Sequence, residues 1–130
     1  MDLADRVELH ELPGRYGDAI DDRDWERLAR IFTDDATFDL TDLGGPKLVG
    51  LAEIQRFMDV EAQHPQTHLM TNIYVDDTPG GVKMHFRIVA LLPTEKRVGT
   101  ASYHDDVVKT DAGWRVKDRV ITLRRKPRAS

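Results

Sequence analysis

The sequence contains no cysteine. Disulfides, thiolate nucleophiles and zinc–thiolate centres are thereby excluded, and a reducing compartment is the simplest home. No apolar run approaches the ~20 residues that a membrane-spanning helix needs. The opening Met1-Asp2-Leu3-Ala4-Asp5 is acidic where a secretory signal is basic and then apolar. A cytoplasmic protein with no membrane partner is expected. Basic charge is not in excess either: 19 Lys and Arg stand against 23 Asp and Glu, a net charge of −4. That is the wrong sign for nucleic acid as a partner. There is no glycine-rich phosphate loop and no histidine pair at metal-ligand spacing, so no cofactor and no metal is expected.

What is present is a globular balance, 40% hydrophobic and 32% charged residues over a chain of 130. That length predicts one domain over 1–130, ending in a basic tail, 124–130. Leu9, Leu12, Tyr16 and Ile20 recur at three- and four-residue steps and predict a helix over about 3–22. Pro13-Gly14 interrupts it, which predicts a kink or a fresh helix start with Pro13 in a first turn. A second helix, capped by Asp22 or Asp24, carries Trp25, Leu28, Ile31 and Phe32 and ends at Thr33-Asp34-Asp35. After a strand over 36–40 and the turn Gly44-Gly45-Pro46, a third helix follows Gly50 with Leu51, Ile54, Phe57 and Met58 on its stripe, stopped by His64-Pro65.

The remainder predicts strands over 67–75, 82–91, 98–109 and 114–123, with a turn over 76–81, a loop over 92–96 and a turn at Asp111-Ala112-Gly113. In the second of these strands Val82, Met84, Phe86, Ile88 and Ala90 share one face. Helices followed by a run of antiparallel strands define an α+β class.

Three stretches carry a resemblance. The first is Tyr16-Gly-Asp-Ala-Ile-Asp21, continuing through Asp24-Trp25 to Phe32 and Asp35-Ala36. The second is His68-Leu-Met-Thr71-Asn72, and the third Gly113-Trp114-Arg-Val-Lys-Asp-Arg119. In order and spacing they resemble the SnoaL-like, NTF2-like superfamily over about residues 5–123. The resemblance implies an NTF2-like cone, a strongly curved, mostly antiparallel sheet wrapped like a barrel around three helices and enclosing one pocket. Its enzyme members that act by elimination include scytalone dehydratase, a bile-acid dehydratase and hexachlorocyclohexane dehydrochlorinase, which use a His–Asp pair. The resemblance places Asp21 and His68 at that pair, Tyr16 at a catalytic tyrosine and Arg119 at a pocket arginine. The positions matching further catalytic side chains of scytalone dehydratase are Ile20, Leu40 and Leu91, so scytalone is an unsuitable substrate.

Chemistry supports the assignment. Imidazole titrates near neutrality, and a carboxylate on one ring nitrogen fixes the tautomer and leaves the other free to take a proton. Against this stand ordinary roles: a turn carboxylate for Asp21, a core histidine for His68, packing for Tyr16, and a surface arginine on an edge strand for Arg119. Met70 and Asn72 share the strand parity of His68 and are expected to line the pocket and bind substrate. Trp25 and Trp114 are expected to be anchors of packing. His104-Asp105-Asp106 makes a poor metal motif, because successive strand residues point to opposite faces.

The function expected is a cofactor-independent lyase of dehydratase type, or an isomerase, acting on a small, mostly apolar cyclic ligand. Alternatives are a polyketide cyclase, a ketosteroid-isomerase-like enzyme, or a non-catalytic ligand-binding or accessory module of the same fold. Leu69, Ile73 and Val75, opposite His68 in parity, predict a homodimer through the outer face of the sheet.

Overall fold

The computed structural model describes residues 1–61, 67–92 and 96–125. Helix α1 spans Leu3–Asp21, capped by Asp2, whose carboxylate accepts from the Asp5 amide. Its buried stripe includes Leu9, Leu12, Tyr16 and Ile20. Pro13 lies inside this one helix, not at a new start. A helix-interior proline costs about 3 kcal/mol; burial of four large side chains at about 1.5–3 kcal/mol each offsets that.

Asp24, not Asp22, caps the short α2 (Trp25–Leu28). The helix stops at Leu28, and Ile31 and Phe32 lead into strand β1 (Phe32–Asp39). Thr33-Asp34-Asp35 therefore lies in the strand and does not end a helix. A 3-10 turn, Thr41–Leu43, closes on Gly44 in the left-handed region and leads into the short β2 (Lys47–Val49). Helix α3 (Leu51–Arg56) widens into a π-type turn over Phe57–Glu61. Then come β3 (Thr67–Thr78), β4 (Gly81–Leu92), β5 (Arg97–Thr110) and β6 (Gly113–Leu123). The expected turn over 76–81 is shorter than its sequence suggested, since β3 continues to Thr78. The predicted stop at His64-Pro65, residues 93–95 of the expected loop and residues 126–130 of the expected tail lie outside the described residues.

The strands form one sheet in the order β2-β1-β6-β5-β4-β3. Every neighbouring pair is antiparallel except β1 with β6. This is the expected α+β architecture, helices packed on a curved, mostly antiparallel sheet. The sheet is open rather than a barrel: β2 and β3 are its two edges. One face carries the core, with Met84, Phe86, Ile88 and Ala90 of β4 turned inward as their alternation predicted.

Strand β3 departs from simple alternation. Thr71 pairs with Arg87 and Tyr74 with His85, so three steps on β3 match two on β4. This is a bulge, and Asn72 sits in it at φ 53. The extra residue inverts the parity beyond it. Asn72 is exposed, while Val75 is buried and Ile73 packs on the core. Of the three residues expected on the outer face, only Leu69 is there.

Candidate active site

Asp21 is the last residue of α1. A carboxylate there opposes the helix dipole, and the last turn carries no basic residue to balance it. What holds it is His68, near the start of β3. One Asp21 oxygen lies 2.6 Å from His68 Nδ1, and the other accepts the His68 backbone N–H at 3.0 Å. With a carboxylate as partner, Nδ1 carries the proton and Nε2 is left with its lone pair. Both side chains are largely buried, 9% exposed for His68 and 14% for Asp21. Gly17 makes this approach possible: a Cβ there would stand 3.0 Å from the Met70 methyl and 3.5 Å from the His68 carbonyl oxygen.

Beside the pair, a depression of about 1040 Å³ opens to solvent along α1. His68, Met70, Leu12 and Ile73 line it together with many charged groups, among them Arg15 and Arg30. Asn72 is not part of that lining. Its exposed side chain accepts from the Thr71 hydroxyl at 2.9 Å, because the bulge turns it away from the parity of His68.

Arg119 and Tyr16 form a second group, deeper in the core. Arg119 is fully buried on β6, a strand flanked by β1 and β5, and is not a surface residue. Its Nε and Nη2 donate to the two oxygens of Asp105 at 2.9 and 2.8 Å. The guanidinium carbon lies 4.2 Å from the Tyr16 ring centre and 4.8 Å from that of Tyr103, with Phe32, Phe38 and Phe86 completing the enclosure. Nη1 has no hydrogen-bond partner among the described residues. Burial pushes the phenols of Tyr16 and Tyr103 above their usual range, so both remain O–H donors. Burial raises the Asp105 carboxyl too, with Arg119 opposing that rise. Burial would lower the guanidinium, but the Asp105 carboxylate overrides it and holds Arg119 above its ordinary value. The two-point geometry is that of an ion pair.

The expected residues thus fall into two places. Asp21, His68 and Met70 meet at the end of α1; Tyr16 and Arg119 meet in the core, and among the described residues Arg119 is hydrogen-bonded to Asp105, while Asp21 and His68 are bonded to each other. Sequence reasoning missed Asp105, Tyr103 and Gly17. In the sequence Asp105 reads only as part of a poor metal motif; its place opposite Arg119 is set by the register of β5 on β6. Trp114 is a packing anchor as expected, buried with its indole N–H on Asp5 at 2.9 Å. Among the described residues no cluster of three or more His, Asp or Glu side chains is arranged around a metal position. No helix there is long and apolar enough to cross a membrane.

These features give the chain the architecture of solved structures described as cystatin-like in fold. Within it the chain belongs to the SnoaL-like domain family, whose model matches residues 1–120. An uncharacterized protein of Mycobacterium tuberculosis, Rv2910c, is 32% identical over 132 residues, 93% of this chain and 86% of its own. A structure described as a putative aromatic ring hydroxylase from Novosphingobium aromaticivorans superposes with a TM-score of 0.79 at 25% identity, covering 97% of this chain and 93% of that one. The hexachlorocyclohexane dehydrochlorinase LinA-type3 from Novosphingobium barchaimii gives a TM-score of 0.78 at 18% identity, with 95% and 88% covered. At that identity the likeness is one of fold.

Proposed function

We propose that this protein is a cofactor-independent proton-transfer enzyme of the dehydratase or isomerase type, acting on a small, mostly apolar cyclic molecule. One observation carries the reading: Asp21 grips His68 by both its ring and its backbone amide. His68 Nε2 takes a proton from a carbon next to an electron-withdrawing group. Asp21 fixes the tautomer and stabilises the imidazolium that forms. The negative end of α1 favours that positive charge as well. Arg119 Nη1 and the Tyr16 hydroxyl are the proposed donors for an oxygen anion or leaving group, reached only by a substrate that passes beyond the depression into the core, since neither residue lines it. Met70 contacts the substrate. Elimination, enone isomerisation and ring closure of a polyketide all begin with this proton, and the dehydrochlorinase sharing the fold is named for an elimination.

Solvent-deuterium exchange into the C–H groups adjacent to the carbonyl of cyclic ketones tests the first step without knowing the full reaction. Wild-type protein accelerates the exchange and His68→Gln does not. Equal exchange by both removes His68 from the chemistry. A second reading, a ligand-binding module without chemistry, is favoured by one feature: Arg119 is enclosed by five aromatic rings in the core, away from His68. That reading gains if the same ketones bind but no exchange occurs.

The outer face keeps Leu69, Leu91 and Val98 exposed at one end, close together through the pairings of β3, β4 and β5. This patch is the proposed contact of a homodimer. Light scattering at micromolar concentration reads a dimer; a monomer sinks the assignment.

A further inference from the structure

On the outer face, away from the core, His85 of β4 and His104 of β5 stand directly opposite each other in the ladder. Their Nδ1 atoms are 3.3 Å apart. Each ring is held from behind. His85 Nε2 lies 3.5 Å from the Asp76 carboxylate on β3, and His104 Nε2 lies 3.1 Å from the Thr122 hydroxyl on β6. Tyr74 stacks on His85 with ring centres 4.8 Å apart. One proton arrangement satisfies the whole row. Thr122 donates to His104 and His104 Nδ1 donates to His85 Nδ1, which leaves the His85 Nε2–H facing the Asp76 carboxylate 3.5 Å away.

We propose that His85 and His104 bind a zinc-like transition-metal ion through their two Nδ1 atoms, with water completing the coordination. Zinc–imidazole bonds of about 2.0–2.1 Å in a tetrahedron place neighbouring ligand atoms about 3.3–3.4 Å apart. The pair already stands at that separation. Orientation of each imidazole through its far nitrogen, by a carboxylate on one and a hydroxyl on the other, is the support that histidine ligands use. Imidazole suits zinc, copper and nickel, and Asp76 offsets part of the charge of a cation. Binding needs no net loss of protons from the neutral pair. His104 shifts its proton from Nδ1 to Nε2, and the Thr122 hydroxyl turns from donor to acceptor. Two protein ligands leave open positions, which fits an exchangeable ion at the surface. His104 is exposed and His85 half-buried, so the ion reaches them without rearrangement of the core. His68 lies on the opposite face of the sheet, so this site stands or falls apart from the proposed chemistry.

The test is titration calorimetry of zinc chloride into the full, tag-free chain, with equilibrium dialysis for stoichiometry and thermal melts to show that each variant folds. One zinc per chain is expected for wild type and for His68→Gln. His85→Gln and His104→Gln each lower the affinity at least tenfold, and Asp76→Asn lowers it in the same direction but less. Should His85→Gln fail to fold, the exposed His104→Gln carries the test alone. Unchanged affinity in the folded histidine variants shows an adventitious ion only and overturns the proposal. Absence of stoichiometric zinc in the wild-type protein overturns it equally.

Discussion

Asp21 spends both carboxylate oxygens on His68, one on the ring and one on the main chain, across 47 positions of sequence. The contact to the amide ties the carboxylate to the strand itself, so the imidazole cannot swing without losing its partner. Two groups joined in this way act as a unit. His68→Ala and Asp21→Asn are each expected to lower kcat by about 10²–10⁴-fold. The double variant falls little further than the worse single one. Additive losses in the double-mutant cycle would show that Asp21 acts independently of His68.

Arg119 and Asp105 pose a different case, because both are buried and each neutralises the other. The resemblance implies a pocket arginine at Arg119 and its ordinary role is a surface one; it is buried in the core instead, where its removal bears on stability. Arg119→Met leaves an unpaired carboxylate in the core and is expected to cost about 3–5 kcal/mol. Asp105→Leu added to it removes that charge and recovers most of the loss. Denaturant titration of the three variants checks this. No recovery in the double variant would mean that the aromatic enclosure depends on the guanidinium itself.

Much of this was legible from the sequence. The stripe of α1 and the alternation of β4 come from periodicity, which burial enforces directly. Asp21 and His68 were legible only through the resemblance, since nothing local joins residues that far apart. What escaped has a shared cause. The β3 bulge is set by one residue of register, and Asn72 shows nothing of it in composition. The pairing of Asp105 with Arg119, and of His85 with His104, depends on which strands become neighbours. The end of α2 at Leu28 reflects Phe32 joining β6 in the sheet, a tertiary preference overriding local helical spacing.

Gly17 permits α1 to lie close on β3 beneath His68, and it offers a further check on the site. Valine there meets the Met70 methyl and the His68 backbone. Overpacking of this kind costs about 1–3 kcal/mol. Met70→Ala in the same chain opens space and is expected to restore part of that stability. If Gly17→Val melts as wild type does, the close approach of helix and strand is not a constraint.

The His85–His104 pair makes stability depend on pH in a direction that can be worked out. Partial desolvation of the otherwise exposed His104 ring holds it below the usual imidazole value, His85 facing it at 3.3 Å adds to this, and Asp105 opposes. Other charged groups on this face are Asp76, 3.5 Å from His85, Lys83, paired with Asp106, Arg87, opposite Ser102 on β5, and Arg124, which donates to the Ser102 hydroxyl. A group whose pKa is depressed by folding binds protons more readily in the unfolded chain. Its contribution is present above the unfolded value, near 6.5, and is lost as pH falls through the lower folded value. Wild-type Tm is therefore expected to drop more steeply between about pH 7 and pH 5 than that of His104→Gln, in which this group cannot titrate. The difference between the two curves isolates His104 from the carboxylates that titrate in both proteins. Parallel curves would show that His104 is protonated as easily in the folded chain as in the unfolded one, and the facing geometry of the two rings would then have no energetic consequence.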